Sequence, residues 1–229
     1  GFIYRPPRTY PVQNIYASID SAKGKTDKIG LVSSAIADHP DIIDICHYGM
    51  KQGFKLSFSS LRSDKLTDEL IQALSKSKVK TATIAPEAGS QRMRNIINKN
   101  ISESDILFAT QRLVDAGIIN LRLYFMIGLP FETQDDVHEI VELTKKIKLT
   151  FLEASKKKKK IGTITLSINP FIPKPGTPFQ WTAMDKKSVL KKKVAIIKQG
   201  LKKIANVKVN IESLRKAKIH ALLSCGDQK

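Results

Sequence analysis

The sequence predicts an α/β protein built around a parallel sheet. Two observations carry the prediction. Short apolar, β-branched runs alternate along the chain with amphipathic helical patterns, and each gap between runs is long enough for a helix. The runs are also nearly continuous in apolar residues, as in 121–127, which suits a sheet covered by helices on at least one face.

Strands are predicted over 28–33, 54–59, 79–85, 120–127, 162–169 and 207–211. Between the second and third, Ser63 or Asp64 can cap a helix whose apolar face is Leu66, Leu70, Ile71 and Leu74. After the third, Ser102 and Asp105 have the spacing of a capping box before Ile106, Leu107, Leu113 and Val114, and Gly117 stops that helix. Thr133 and Asp136 form a second box before Val137, Ile140, Val141 and Ile147. The lysines from Lys156 to Lys160 then read as a solvated loop or helix end. Thr182 and Asp185 form a third box, before Val189, Leu190, Ile197, Leu201 and Ile204. Pro170, Pro173, Pro175 and Pro178 fix φ and lack a donor, so that segment should leave the strand as rigid extended chain across the mouth of the sheet.

With 229 residues, 41% of them apolar and 26% charged, the chain can bury a sizeable core, and wholesale disorder, collagen and coiled coil are excluded. No run of 18 apolar residues is present, so no membrane span and no membrane partner is expected. Two cysteines, Cys46 and Cys225, make neither a disulfide framework nor a metal knuckle, and a cytoplasmic location is the default expectation. The net charge is +18, from 31 Lys and 8 Arg against 21 acids. Two readings stay open: a lysine-rich solvated surface, which would include Lys191 to Lys193, and a polyanion site.

In parallel α/β folds, ligands bind at the carboxyl ends of the strands. The residues leaving each predicted strand are small, polar or rigid: Ser33 and Ser34, Ser59 and Ser60, Pro86 to Ser90, Gly128 to Thr133, and Asn169 to Pro178. Glu87 and Glu132 are the carboxylates among them. Glu132 suits a helix N-terminus, stabilised by the macrodipole. Glu87 lies in a turn between Pro86 and Gly89 and suits a ligand-facing role. No Walker loop, GxGxxG or GxSxG motif is present, and the four histidines read as surface or capping residues.

These tips carry a family resemblance. Glu87-Ala88-Gly89-Ser90-Gln91-Arg92, followed by Ile97-Asn98-Lys99, resembles the segment after the fourth strand of radical S-adenosylmethionine (SAM) enzymes. Met126-Ile127-Gly128-Leu129-Pro130-Phe131-Glu132-Thr133 resembles their "GLPxET" motif. The run from Ser167 to Trp181, and Ala221-Leu222-Leu223-Ser224-Cys225-Gly226-Asp227 near the end, resemble one branch. That branch pairs a cobalamin-type N-terminal domain with a radical SAM core and is akin to methylthiotransferase and Elongator-like proteins. It carries Arg where this chain has Cys225, so no function is expected of that thiol.

The resemblance implies a partial (β/α)6 TIM-like barrel lacking its first strand. Residues 1–212 would be the barrel core without the cluster loop, and 213–229 the start of a C-terminal extension. It implies SAM as cofactor, a 4Fe–4S cluster in the full-length protein, and cobalamin through an N-terminal domain. Three thiolates spaced CxxxCxxC hold such a cluster, and this sequence has no such triplet, so no metal ligands are expected here. Gly1 to Arg8 resemble the stretch just after the third family cysteine, so the chain is expected to be an inactive fragment of an enzyme. By position, the resemblance assigns Ser33 and Ser34 to the SAM amino group, Glu87 to the ribose and Arg122 to the carboxylate. Gly128, Leu129, Asn169, Pro170 and Phe171 would border the adenine. The substrate is left unassigned; RNA and the missing domains are the partners implied. A basic tRNA-binding module and a non-catalytic scaffold are the alternatives.

Overall fold

The structure is a computed structural model and describes residues 8–33, 36–158 and 160–225. Its strands are β1 Lys28–Leu31, β2 Lys55–Phe58, β3 Thr81–Glu87, β4 Asn120–Ile127, β5 Ile164–Pro170 and β6 Val207–Ile211. Its helices are α1 Val12–Ser21, α2 Ile42–Lys51, α3 Asp68–Lys76, α4 Gln91–Ile96, α5 Glu103–Asp115, α6 Gln134–Lys158, α7 Lys187–Leu201 and α8 Leu214–Cys225. All strand pairs are parallel. β1 pairs with β2, and β3 to β6 form a second sheet in sequential order. Among the described residues a single bridge, Leu61 to Ile84, joins the two. Sequential parallel order is that of a barrel wall, and the fold is an α/β, partly TIM-barrel-like one.

Alternation along β4 separates two faces. Leu121, Leu123, Phe125 and Ile127 are buried in the main core with Ile106, Leu113, Ile140 and Ile147 of the covering helices. Arg122, Tyr124 and Met126 take the other, more open face. Thr165, Ser167 and Asn169 of β5 stand in register with them. The helices therefore bury one face in apolar contacts, and the opposite face carries polar groups.

Two of the expected capping boxes form. Ser102 and Asp105 exchange backbone-to-side-chain bonds, and the Asp136 carboxylate accepts the Thr133 N–H at 2.8 Å. Two expected caps do not. The residues around Ser63 and Asp64 make a short 3-10 turn, and Thr67 caps α3 by accepting the Leu70 N–H. Asp185 is drawn into an ion pair, so α7 begins after Lys186 with no side-chain cap. Pro170 was expected outside any regular strand, yet it is the last residue of β5 and pairs with Ile127. The missing donor costs little there, because the next N–H, on Phe171, donates to the Ile127 carbonyl at 2.8 Å. Among the described residues no helix is long and apolar enough to cross a membrane.

Candidate functional site

The carboxyl ends of β3, β4 and β5 meet. Pro86 cannot donate to a ladder, and the β3–β4 register shifts between Ile84 and Glu87. Beyond that bulge Glu87 takes φ +67°, a left-handed conformation that costs a non-glycine residue about 1–2 kcal/mol. Bulges re-aim side chains, and here the Glu87 carboxylate stands 3.3 Å from Lys99 Nζ. Burial raises its pKa, against the pull of Lys99.

The turn after Glu87 is locked from two sides. The buried Arg94 guanidinium donates to the carbonyls of Ala88 at 3.1 Å, Gly89 at 2.7 Å and Ile101 at 3.0 Å. A Cβ on Gly89 would lie 2.1 Å from the Ile140 nitrogen, so only glycine lets the turn approach α6. Ser90 caps α4 and donates to Asp136 at 2.6 Å, and Arg92 pairs with the same carboxylate. Burial works against ionisation of Asp136, but bonds from Arg92, Ser90 and Thr133 outweigh it and hold its pKa well below the usual range.

In the loop after β4, Glu132 accepts hydrogen bonds from the Gly128 N–H at 2.7 Å and from the Lys193 ammonium at 2.7 Å. Lys193 also donates to Asp185 at 2.7 Å. Two carboxylates thus share one ammonium. Burial raises the pKa of Glu132, and the two carboxylates raise that of Lys193 despite its burial. Glu132 was expected to serve only the helix dipole, and Lys193 to lie on a solvated face. Instead Lys193, 12% exposed, anchors the loop. A run of lysines gave no sign of which one turns inward.

Between these anchors lies a small apolar cluster of Ala88, Met93 and Leu129, with Met126, Ile97 and Phe171 packed against it. Phe171 meets Phe179 edge-on at 6.1 Å, so the proline segment starts at this mouth and continues in turns, not in a helix. Asn169 faces the same end, and its carboxamide makes no hydrogen bond among the described residues.

Glu87, Leu129, Asn169, Pro170 and Phe171 are thus brought together. Gly128 is there too, but its N–H is taken by Glu132. With φ +76° and Leu190 2.9 Å from where a Cβ would be, its bare Cα serves packing on α7. Ser33 lies beyond β1, its carbonyl accepting from Ser59 Oγ at 3.0 Å; Ser34 falls outside the described residues. Arg122 is not brought to this mouth. It lies six residues, about 20 Å, before Gly128 along β4, and lines a separate cavity near the amino ends of the strands.

Residues 2–144 match the radical SAM superfamily. The chain belongs to the radical SAM superfamily. An uncharacterized protein of Methanocaldococcus jannaschii is 37% identical over 228 residues, covering 99% of this chain and 48% of that protein. The chain thus spans about half the length of the curated relative it matches. Streptococcus suis SuiB bound to S-adenosylmethionine superposes with a TM-score of 0.61 at 13% identity, over 100% of this chain and 49% of SuiB. Archaeal Elp3 of Methanocaldococcus infernus gives a TM-score of 0.52 at 14% identity, over 90% of this chain and 57% of that one. Both likenesses are of fold.

Radical SAM proteins imply two groups, and the residues present fit one of them. A half-buried carboxylate that can accept from hydroxyls, a carboxamide with no hydrogen bond among the described residues and an apolar wall suit a ribose and an adenine. For the 4Fe–4S cluster they do not fit. No set of His, Cys, Asp or Glu that could hold a metal occurs among the described residues, and Cys46 is buried and alone. The cobalamin branch finds no support in these matches.

Proposed function

We propose that this chain forms the nucleoside-binding wall of a radical SAM enzyme, with SAM lying across the carboxyl ends of β3, β4 and β5. The observation that carries the reading is Glu87: a non-glycine residue held at φ +67° past a bulge, its carboxylate paired with Lys99 and its chain neighbour Ala88 in an apolar cluster, at the carboxyl end of the strands of a radical SAM fold. Strain of this kind is retained where geometry matters.

Each residue has a part. The Glu87 carboxylate accepts hydrogen bonds from the ribose hydroxyls. Met126, Leu129 and Phe171 cover the adenine, and the Asn169 carboxamide meets its polar edge. Lys193 and Glu132 keep the Gly128 loop still, so that little ordering cost falls on binding. SAM beside a reduced 4Fe–4S cluster supplies one-electron, hydrogen-abstracting chemistry. These residues bind and orient the nucleoside; electron delivery is not among their tasks.

Calorimetry tests the reading. Two or three hydrogen bonds plus adenine burial give roughly 4–5 kcal/mol, a dissociation constant on the order of 1 mM. SAM and S-adenosylhomocysteine should bind about equally, because no metal distinguishes them here. Glu87→Ala should abolish binding of both. Unchanged binding in that variant would show that the ribose contact lies elsewhere.

A further inference from the structure

Among the described residues β2 makes no ladder with β3; the Leu61 to Ile84 bridge, three residues beyond β2, joins the two sheets. On the amino-terminal side of that bridge the two sheets part, and a cavity of about 460 Å³ opens between them. Its cations are Lys28, Lys55, Lys78, Lys80 and Arg122, and no acidic side chain lines it. Lys28 and Lys55 lie directly opposite each other on neighbouring strands, an arrangement that costs stability when nothing neutralises it. The Asp27 carboxylate partly offsets this: it pairs with Lys55 at 2.9 Å and also feels the charge of Lys28. Lys78, Lys80 and Arg122 have no acidic partner among the described residues. Arg122 stands in register with Thr83 and Thr165, and Thr83 adds a hydroxyl to the wall.

The two ends of the strands therefore differ in charge. At the carboxyl end Glu87, Glu132, Asp136 and Asp185 each meet a cation. At the amino end five cations meet one acid, Asp27, which pairs with Lys55 outside the cavity lining. A planar guanidinium backed by ammonium groups and a hydroxyl is the donor set that phosphate oxygens require. We propose that this amino-terminal cavity binds a phosphate group, carried either by a small phosphorylated molecule or by a polynucleotide, with Arg122 as its bidentate anchor. This site is independent of the SAM reading and lies at the opposite end of the sheet.

The probes are inorganic pyrophosphate and a short single-stranded oligonucleotide, titrated into the whole chain at low salt. Arg122→Gln should weaken the binding about tenfold or more, and Lys80→Gln should weaken it less. Lys192→Gln, on the outer face of α7, should change it by less than about twofold. Arg122 and Lys80 are exposed, so the variants should keep the wild-type circular dichroism and melting curve. Loss of pyrophosphate binding in Arg122→Gln assigns the site to small phosphates. Binding of the oligonucleotide alone, lost in the same variant, assigns it to a polynucleotide. No binding of either probe at about 1 mM, or equal binding by wild type, Arg122→Gln and Lys192→Gln, overturns the proposal. SAM binding is read separately through Glu87→Ala, so either reading can fail without the other.

Discussion

Lys193, midway along α7, places its ammonium 2.7 Å from the carboxylate of Glu132 at the end of the β4 loop. Glu132 in turn holds the Gly128 N–H. One buried ion pair thus ties the outer helix to the loop that borders the proposed nucleoside wall. Removing one partner of such a pair leaves an uncompensated charge. Lys193→Met should therefore destabilise the fold by about 3–5 kcal/mol. Urea denaturation measures this, and the double variant with Glu132→Gln should recover a large part of the loss. A change below about 0.5 kcal/mol would show the pair to be incidental.

Asp136 gives a pH dependence with a definite sign. Its folded pKa is lowered, so the stability it contributes is full above the unfolded value of about 4 and is lost as pH falls toward the folded one. Asp136→Asn should cost about 1.5–3 kcal/mol near neutrality, the worth of hydrogen bonds to a charged group. Its denaturation curve should converge on the wild type as the pH drops below about 4. A gap that stays constant through that window would mean that Asp136 is not ionised in the native state.

Gly89→Ala tests the approach of the β3 turn to α6. The added Cβ would meet backbone, 2.1 Å from the Ile140 nitrogen and 2.4 Å from the Glu139 carbonyl carbon. Backbone cannot step aside as a side-chain tip can. The substitution should cost at least the upper end of about 1–3 kcal/mol, read as a fall in melting temperature. Gly53→Ala, where nothing lies within 4 Å of the new Cβ, carries only the left-handed backbone cost and should be milder.

Cys46 should be inert. It is fully buried, and burial alone pushes its thiol up to about 12. Thiolate is the reactive form. In a Cys225→Ser background, a disulfide reagent should modify Cys46 at neutral pH only as fast as the chain unfolds. Rapid labelling of native protein would show that the packing of α2 opens locally.

Sequence reading reached the order of strands and helices because those signals are local. Apolar alternation, the Ser102 and Asp105 spacing and the Gly117 stop all act within a few residues. The motifs that follow β3 and β4 were legible for the same reason: each is one short continuous stretch at a strand end. Thr67 was missed as the cap of α3 because Ser63 and Asp64 offer the same local chemistry four and three residues earlier.

What the sequence determined by itself was therefore the α/β pattern, the radical SAM superfamily and the absence of a CxxxCxxC triplet from the given residues. Tertiary structure alone decided which charges work together. Lys193 finds Glu132 from 61 residues away, Ser90 finds Asp136 from 46, and Arg122 is turned to the amino-terminal cavity with lysines from three other segments. Identical lysines in one run cannot be told apart by pattern. Their worth depends on how much water each loses and which carboxylate it meets, and both are set only when distant segments pack.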